Sequence, residues 1–281
     1  MTVSSASWGL PTGRSLVMGV INVTPDSFSD GGKWLDATTA IAHGVDLVAA
    51  GADLVDVGGE STRPGALRID VDEELRRVIP VVKGLVAQGI AVSVDTMRAS
   101  VAQQSLDVGA RIINDVSGGR ADPDMFGVAA RSGQPLVLMH WREHSATMQN
   151  NTDYTDVVAD VIAELQVQID AAHDAGIADA QLIIDPGLGF SKTGAQNWTV
   201  LRHLDAFTAL GYPLLVAASR KRFLGELLAD GETLRPTDER EAATVAITTL
   251  AAEHGAWCIR VHEPSASADA VRVVARLKAT N

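Results

Sequence analysis

Short apolar runs alternate with longer stretches of helical spacing along the whole chain, and this alternation restricts the possible folds more than any other feature. Each run is mostly apolar and rich in branched side chains, which is typical of parallel strands covered by helices on both faces. Eight such runs are present, at Leu16–Ile21, Asp53–Val57, Ile90–Val94, Arg111–Ile113, Pro135–Met139, Gln181–Ile184, Pro213–Ala217 and Trp257–Val261. We therefore predict eight parallel strands.

The stretches between the runs carry the start and stop signals of helices. Aspartates suited to N-caps begin the first two, and a glycine follows the end of four of them. We predict helices over Asp36–Ala50, Asp72–Gln88, Asp153–Ala175, Thr237–His254 and Ser265–Lys278. Eight strand–helix pairs predict an α/β fold, a single-domain (β/α)8 TIM barrel over residues 15–281 that follows an N-terminal extension of residues 1–14. A doubly wound open sheet is the structural alternative.

The charge balance is acidic, with 23 Lys and Arg residues against 35 Asp and Glu and a net charge of −12. Nucleic acids and anionic membrane surfaces are bound through basic fields, so we expect neither as a partner. The single cysteine, Cys258, excludes an intramolecular disulfide and fits a reducing compartment. We find no signal-peptide pattern and no apolar stretch of transmembrane length, and we therefore expect a cytoplasmic protein.

Polar or ionisable side chains stand at the carboxyl end of nearly every predicted strand. Active sites of (β/α)8 barrels lie at this end, in the loops that follow the strands. The residues concerned are Asn22, Glu60 to Arg63, Asp95, Asn114, His140, Asp185, Ser219 to Lys221, and Arg260 with His262. The opposite ends carry little besides Gly, Ala and Pro, so we predict a site at the carboxyl face. The long loops at 22–34 and 58–70 are either lids over it or ordinary turns.

The last strand brings two basic side chains to one side of the sheet. Residues two apart in a strand point the same way, so Cys258, Arg260 and His262 share a side. Two cationic groups together indicate an anionic ligand, and the loops after strands seven and eight of these barrels often hold phosphate. Lys221 and Arg260 lie in that region. The structural alternative is that these cations form ion pairs with neighbouring carboxylates.

Asp95, Asn114 and Asp185 form a second group of strand-end residues. Their acceptors suit the N–H edge of a flat, nitrogen-rich heterocycle in a partly apolar barrel mouth. Alternatively, each aspartate caps the helix that follows it. Met139 and His140 have opposite parity, so only one of them is expected to face the cavity. Cys258 has no activating base beside it in sequence and is predicted to be a small core residue.

Several motifs resemble the dihydropteroate synthase family in order and spacing. VMGVINVTPDSFSDGG at 17–32 resembles the first signature of that family, and GADLVDVGGESTRP at 51–64 resembles the second. The resemblance continues in SVDTMR around Asp95, INDVSGG around Asn114, DPGLGF around Asp185, SRKRFLG around Lys221 and RVH at 260–262. It implies a pterin-binding (β/α)8 barrel that joins 4-aminobenzoate to (7,8-dihydropterin-6-yl)methyl diphosphate. The products would be diphosphate and 7,8-dihydropteroate, for folate biosynthesis.

The resemblance also implies a role for each matching residue. The implied catalytic residues are Asp95, Lys221 and Arg260. The implied pterin-binding residues are Asp95, Asn114, Met139, Asp185, Phe190 and Lys221. The diphosphate would be bound by Thr62, Arg63, Arg260 and His262, with Asn22 holding Mg²⁺ beside it. The 4-aminobenzoate would be bound by Phe28, Ser219 and Arg222, although many members of the family have serine where this chain has Arg222.

The family resemblance further implies a homodimer and competition by sulfonamides, which mimic 4-aminobenzoate.

Two other functions compete with this interpretation. One is a barrel that transfers methyl from methyltetrahydrofolate to a corrinoid protein, which would share the pterin carboxylates but would not need the TPDSF loop. The other is a non-catalytic relative that only binds a pterin or a partner, although all the motif residues are intact here.

Overall fold

Eight parallel strands form a single sheet in the computed structural model, which describes residues 9–24, 37–62, 65–144 and 146–279. Each strand overlaps one of the predicted apolar runs. The strands are β1 (Leu16–Asn22), β2 (Leu54–Gly58), β3 (Val92–Asp95), β4 (Ile112–Asp115), β5 (Leu136–Met139), β6 (Leu182–Asp185), β7 (Leu215–Val216) and β8 (Cys258–Val261).

The sheet closes on itself as a barrel. The neighbours follow the order β6-β5-β4-β3-β2-β1-β8-β7. A parallel bridge between Ile184 and Leu214 joins the two ends, and the Ile184 amide donates to the Pro213 carbonyl at 2.9 Å. This closure confirms the predicted (β/α)8 barrel, and an open doubly wound sheet is excluded.

Helices follow each strand and cover the outside of the barrel. The first five described are α1 (Ala37–Ala49), α2 (Val71–Ala87), α3 (Ala99–Asp107), α4 (Met125–Ser132) and α5 (Val157–Asp174). The remaining ones are α6 (Gly194–Arg202), α7 (Leu204–Thr208), α8 (Arg222–Leu227), α9 (Glu241–Glu253) and α10 (Pro264–Lys278). The five predicted long helices are α1, α2, α5, α9 and α10, whereas the shorter ones were not delimited from sequence.

The starts of several predicted helices are wrong by a few residues. The N-cap of α2 is Asp70 rather than Asp72, because Asp70 has the extended backbone of a cap and its carboxylate accepts from the Glu73 amide at 2.7 Å. In the same way α5 begins after Asp156, which accepts from the Val158 and Ala159 amides. The predicted start of α9 at Thr237 is a separate 3₁₀ turn. Asp36, the predicted cap of α1, lies outside the described residues.

The barrel interior is apolar toward the amino ends of the strands and polar toward their carboxyl ends. Its apolar part is filled by Leu16, Met18, Leu54, Ile112, Val137, Ile183, Leu215 and Cys258. Burying one such large side chain stabilises the fold by about 1.5–3 kcal/mol. Because side chains alternate along a strand, the next inward positions toward the carboxyl ends are Asp56, Asp95, Asn114, Asp185 and Arg260. The strand periodicity therefore brings five ionisable or amide groups together in one layer, next to the apolar interior.

The amino-terminal end of the barrel is closed by packing and by an ion pair. Leu10 is buried against the interior cluster, and two guanidinium nitrogens of Arg14 each donate to Asp53 at 2.7 Å. This pair lies at the start of β1 and β2, at the opposite end from the polar layer. In the part of the chain that is described, no helix is long and apolar enough to cross a membrane.

Candidate active site

A hydrogen-bonded network of two carboxylates, an amide and a guanidinium lies at the top of the barrel interior. Arg260 Nε donates to Asp56 Oδ2 at 2.7 Å, and Arg260 Nη2 donates to Asp95 Oδ2 at 2.9 Å. Asn114 Nδ2 donates to the same Asp56 oxygen at 2.8 Å. Asp95 and Asn114 are direct neighbours in the register of β3 and β4. The sheet therefore places these four groups side by side.

The structural alternative for Arg260 is confirmed, because its guanidinium forms ion pairs with Asp56 and Asp95. Binding of an anionic ligand by Arg260 stays a prediction. One of its two carboxylate partners, Asp95, is itself a predicted pterin ligand. Burial raises the pKa of Asp95 to about 7, Arg260 opposes this rise, and the nearby Asp56 carboxylate adds to it. Asp95 can therefore change its charge near neutral pH, which suits a group that meets an incoming ligand.

Asp185 ends β6 and Lys221 follows β7, and each of the two opposes the pKa shift of the other. Asp185 Oδ1 accepts from the Gly187 amide at 2.7 Å, and burial raises the pKa of this carboxyl while Lys221 opposes the rise. Burial lowers the pKa of Lys221 to about 8, and Asp185 opposes that change. The Lys221 ammonium lies 4.8 Å from the centre of the Phe190 ring and donates to the Leu188 carbonyl. This pair can present both an acceptor and a donor to a polar heterocycle.

Met139 and Phe190 provide the apolar lining of the same mouth. Met139 forms a small buried cluster with Met97 and Val116, and Phe190 packs against that cluster. His140, by contrast, is fully buried on the outer side of β5, where its Nε2 atom lies 2.9 Å from Glu164 of α5. The prediction that only one of Met139 and His140 faces the cavity is therefore confirmed.

A buried lysine fixes the loop that follows β6. Lys192 Nζ lies 3.0 Å from His140 Nδ1, and it donates to the carbonyls of Gly187 at 3.1 Å and Phe190 at 3.2 Å. Three acceptors match the three N–H groups of an ammonium. Burial lowers the pKa of Lys192 to about 7. Lys192 was not among the predicted site residues, because no motif indicates its contacts with a histidine and two carbonyl groups.

We expect Lys192→Met to weaken pterin binding through the loop that carries Phe190. The methionine has similar length but leaves His140 Nδ1 and two carbonyls without a donor, and a lost charged hydrogen bond costs about 1.5–3 kcal/mol. The KM for the pterin substrate is expected to rise about tenfold or more, with a smaller change in kcat. Steady-state kinetics would check this. An unchanged KM would show that Lys192 does not position the loop.

The turn after β7 is also stabilised by the buried cation Arg240. Arg240 donates to the carbonyls of Arg220 at 2.8 Å and Lys221 at 3.3 Å. Ser219 Oγ lies 3.0 Å from His262 Nδ1, so this turn is joined to the loop after β8. Arg220 adopts a positive φ of 61° and pairs with Glu263 at 2.8 Å. Arg240 was not among the predicted site residues, because its partners are backbone atoms that no motif indicates.

The other predicted site residues differ in where they lie in the structure. Asn22 ends β1, beside Gly58 of β2, and Thr62 lies in the loop after β2. Arg222 begins α8, is largely exposed and pairs with Glu226 at 2.9 Å. Phe28 and Arg63 lie outside the described residues. Asp115, the last residue of β4, stabilises the turn that follows, because its carboxylate accepts from the amides of Ser117 and Gly119.

Comparison with known proteins shows which family the chain belongs to. The sequence profile of the family described as "Pterin binding enzyme" matches residues 18–262. A dihydropteroate synthase of Mycobacterium leprae is 56% identical over 260 residues, which cover 92% of this chain and 92% of the relative. The chain belongs to the dihydropteroate synthase family.

Solved structures of dihydropteroate synthases have the same fold. A Yersinia pestis dihydropteroate synthase in complex with a sulfonamide drug superposes with a TM-score of 0.90 at 40% identity, covering 96% of this chain and 97% of the other. A Xanthomonas albilineans dihydropteroate synthase in complex with 7,8-dihydropteroate superposes with a TM-score of 0.85 at 43% identity, over 96% and 97% of the two chains. These relatives favour a dihydropteroate synthase over a methyl-transferring barrel, and the chain is an enzyme of this type.

Proposed function

We propose that this chain condenses (7,8-dihydropterin-6-yl)methyl diphosphate with 4-aminobenzoate and releases diphosphate and 7,8-dihydropteroate. The observation that carries the proposal is the arrangement of the mouth. One cation, Arg260, joins two buried carboxylates, and Asp185 with Lys221 adds a second carboxylate and a second cation. A site with acceptors for a heterocycle and cations for a diphosphate is what this reaction requires.

The pterin would be held by hydrogen bonds at its edge and apolar contacts on its faces. Asp95, Asn114 and Asp185 supply oxygen acceptors for its N–H groups, and Lys221 supplies a donor for its carbonyl or ring nitrogens. Met139 and Phe190 belong to the apolar cluster at the mouth and would line the pocket. Desolvated polar groups of this kind discriminate strongly, because a ligand that lacks the matching group leaves them unpaired.

The diphosphate would be bound by cations and a hydroxyl around β8 and β2. Arg260 lies in β8, His262 directly follows that strand, Thr62 follows β2, and Arg63 comes next in sequence. As the bond from the pterin methylene to oxygen breaks, negative charge develops on the diphosphate. Fixed cations stabilise that charge without reorganising, which is the usual source of a large rate effect.

Magnesium would be held by the substrate as much as by the protein. Among the described residues, no cluster of three His, Cys, Asp or Glu side chains could hold a metal ion by itself. Mg²⁺ commonly binds through one or two protein oxygens plus substrate phosphates, and the amide oxygen of Asn22 is a suitable hard donor. When bound, the ion would neutralise charge on the leaving diphosphate.

The protein's own part in the displacement is to hold the pterin and admit the amine. Asp95 would stabilise the positive charge that the pterin delocalises as diphosphate leaves, so departure would run ahead of attack by the aromatic amine. The 4-aminobenzoate would enter beside Ser219, with Phe28 and Arg222 as further contacts. No covalent enzyme intermediate is needed, and burial raises the pKa of Cys258, the single thiol, well above its usual value.

Incubation with labelled 4-aminobenzoate and the pterin diphosphate tests the proposal. We expect labelled 7,8-dihydropteroate to form only when both substrates and Mg²⁺ are present. A sulfonamide is expected to raise the apparent KM for 4-aminobenzoate and to leave kcat unchanged, because it mimics the benzoate. Methyl transfer from methyltetrahydrofolate in place of product formation would support the alternative barrel function. Pterin binding without any product would support the non-catalytic alternative.

The protein is also expected to be a homodimer in the cytoplasm. Three large aliphatic side chains on the packed helices α9 and α10, Leu250, Val273 and Leu277, are between 58% and 77% exposed. Such side chains on adjacent helices suit a face covered by a second copy. Sedimentation equilibrium is expected to give about twice the 29.5 kDa of one chain. A mass of one chain at micromolar concentration would contradict this prediction.

A further inference from the structure

We propose that Asp56 is a positioning residue that determines which end of the Asn114 amide faces the pterin. The inference rests on the proposed function, because it concerns how the same mouth recognises its heterocycle. Asp56 is fully buried in β2, and its side chain points into the barrel one inward position below Gly58. Among the residues of the network it contacts both Asn114 and Arg260, the groups assigned to the pterin and to the diphosphate.

The orientation of Asn114 follows from the chemistry of its partner. A carboxylate has only acceptors, so the amide must turn its NH₂ group toward Asp56, as the 2.8 Å contact from Nδ2 shows. The amide oxygen is therefore left for the ligand. Asp95 lies directly beside Asn114 in the register of β3 and β4. Asp56 thus makes Asn114 a second acceptor next to Asp95, which matches a ligand edge that carries more than one N–H group.

The same carboxylate anchors Arg260 independently of the substrate. Arg260 Nε is held by Asp56 at 2.7 Å, whereas Arg260 Nη2 is held by Asp95 at 2.9 Å. When Asp95 engages the pterin, Arg260 keeps its bond to Asp56 and stays directed toward the mouth. A rigid cation is worth more to a developing negative charge than a mobile one, because no reorganisation is needed during the reaction.

Stability does not explain a charged residue at this position. Asp56 Oδ1 is buried and has no hydrogen-bond partner among the described residues. An unpaired buried oxygen costs about 1–3 kcal/mol, and apolar side chains commonly replace buried ion pairs without loss of stability. Asp56 therefore carries a buried, incompletely paired carboxylate directly beneath the polar layer that holds Asp95, Asn114 and Arg260. This position indicates a role in ligand recognition.

The variant Asp56→Leu tests the orientation because it removes the acceptor and keeps the size of the side chain. Asn114 Nδ2 and Arg260 Nε both donate to Oδ2 of Asp56, and leucine can accept from neither. The Asn114 amide then loses the partner that turns its NH₂ group away from the ligand. Titration calorimetry with (7,8-dihydropterin-6-yl)methyl diphosphate, without 4-aminobenzoate, is expected to show about 10- to 100-fold weaker binding. Thermal melting measured in parallel separates this effect from a loss of folding.

Asp56→Asn is the matched control. Its amide oxygen can take the position of Oδ2 and accept from both Asn114 and Arg260, so the pterin is expected to bind more tightly to Asp56→Asn than to Asp56→Leu. The proposal is overturned if Asp56→Leu binds the pterin as the wild type does, or if Asp56→Asn binds no better than Asp56→Leu.

The proposed function is tested separately, by the binding of the pterin diphosphate to the wild-type chain. If the wild-type chain does not bind the pterin diphosphate, the proposed function fails before the variants are compared. If the wild type binds and Asp56→Leu binds equally well, only the role of Asp56 fails. Should Asp56→Leu not fold, Asp56→Ala, which also removes the acceptor, is compared with Asp56→Asn in its place.

Discussion

Arg260→Ala is expected to lower kcat/KM by about 10²- to 10³-fold, or about 3–4 kcal/mol of transition-state stabilisation. The guanidinium is the cation that joins the pterin side of the mouth to the diphosphate side, through bonds of 2.7 Å to Asp56 and 2.9 Å to Asp95. Its removal leaves the developing charge of the leaving group without this fixed partner. The loss is expected mainly in kcat, because the charge is greatest in the transition state.

The control for this variant is an arginine–aspartate pair at the other end of the same barrel. Removing Arg260 also leaves Asp56 and Asp95 buried without their cation, which destabilises the fold. Arg14→Ala breaks a comparable two-point pair with Asp53, where both bonds are 2.7 Å, far from the mouth. We expect Arg14→Ala to lower the melting temperature and to leave kcat/KM near the wild-type value. Equal kinetic losses in both variants would assign the Arg260 effect to stability.

Asp95→Asn is expected to reduce kcat by about 10²-fold or more. The amide keeps the shape of the carboxylate but cannot offer negative charge to the pterin as diphosphate leaves. It also weakens the contact to Arg260, which would then pair with Asp56 alone. Steady-state kinetics at saturating substrate would measure the loss. Retention of full kcat would show that the charge of Asp95 plays no part in the displacement.

The pH dependence of kcat/KM gives a second readout for Asp95. Burial raises the pKa of this carboxyl to about 7, with Arg260 opposing the rise and Asp56, Glu74 and Asp115 adding to it. The ionised form is the active one, so kcat/KM is expected to fall as the pH drops below about 7. Burial lowers the pKa of Lys221 to about 8, so loss of its proton gives a separate basic limb above that pH. Asp95→Asn is expected to abolish this acid limb. Asp53→Asn, at the far end of the barrel, is the matched control and is expected to keep it.

Most of the fold could be predicted from the sequence because it is encoded locally. The apolar runs overlap all eight strands, and strand parity correctly separates Met139 from His140. Helix boundaries were less accurate, since choosing between Asp70 and Asp72 as a cap depends on which side chain can reach an amide. Short helices such as α7 carry too few turns for their spacing to be informative.

The parts of the site that were missed depend on contacts between distant segments. Asp56 meets Arg260 across 204 residues, and Lys192 meets His140 across 52. The parity of β2 could have indicated Asp56, because it shares a side with Leu54 and Gly58. No local pattern could have indicated Arg240, whose partners are carbonyl groups of a turn. Side-chain type and strand-end position identify candidate residues, but only the closed barrel shows which of them form hydrogen bonds and ion pairs with one another.

The most direct test is the stoichiometry of diphosphate release by the purified wild-type protein. With (7,8-dihydropterin-6-yl)methyl diphosphate, 4-aminobenzoate and Mg²⁺ all saturating, diphosphate and 7,8-dihydropteroate would be measured in the same reaction. We predict one diphosphate released for each 7,8-dihydropteroate formed, at a rate that Arg260→Ala lowers and Arg14→Ala does not. The absence of diphosphate release with both substrates saturating would contradict the assignment of this mouth as the site of the condensation.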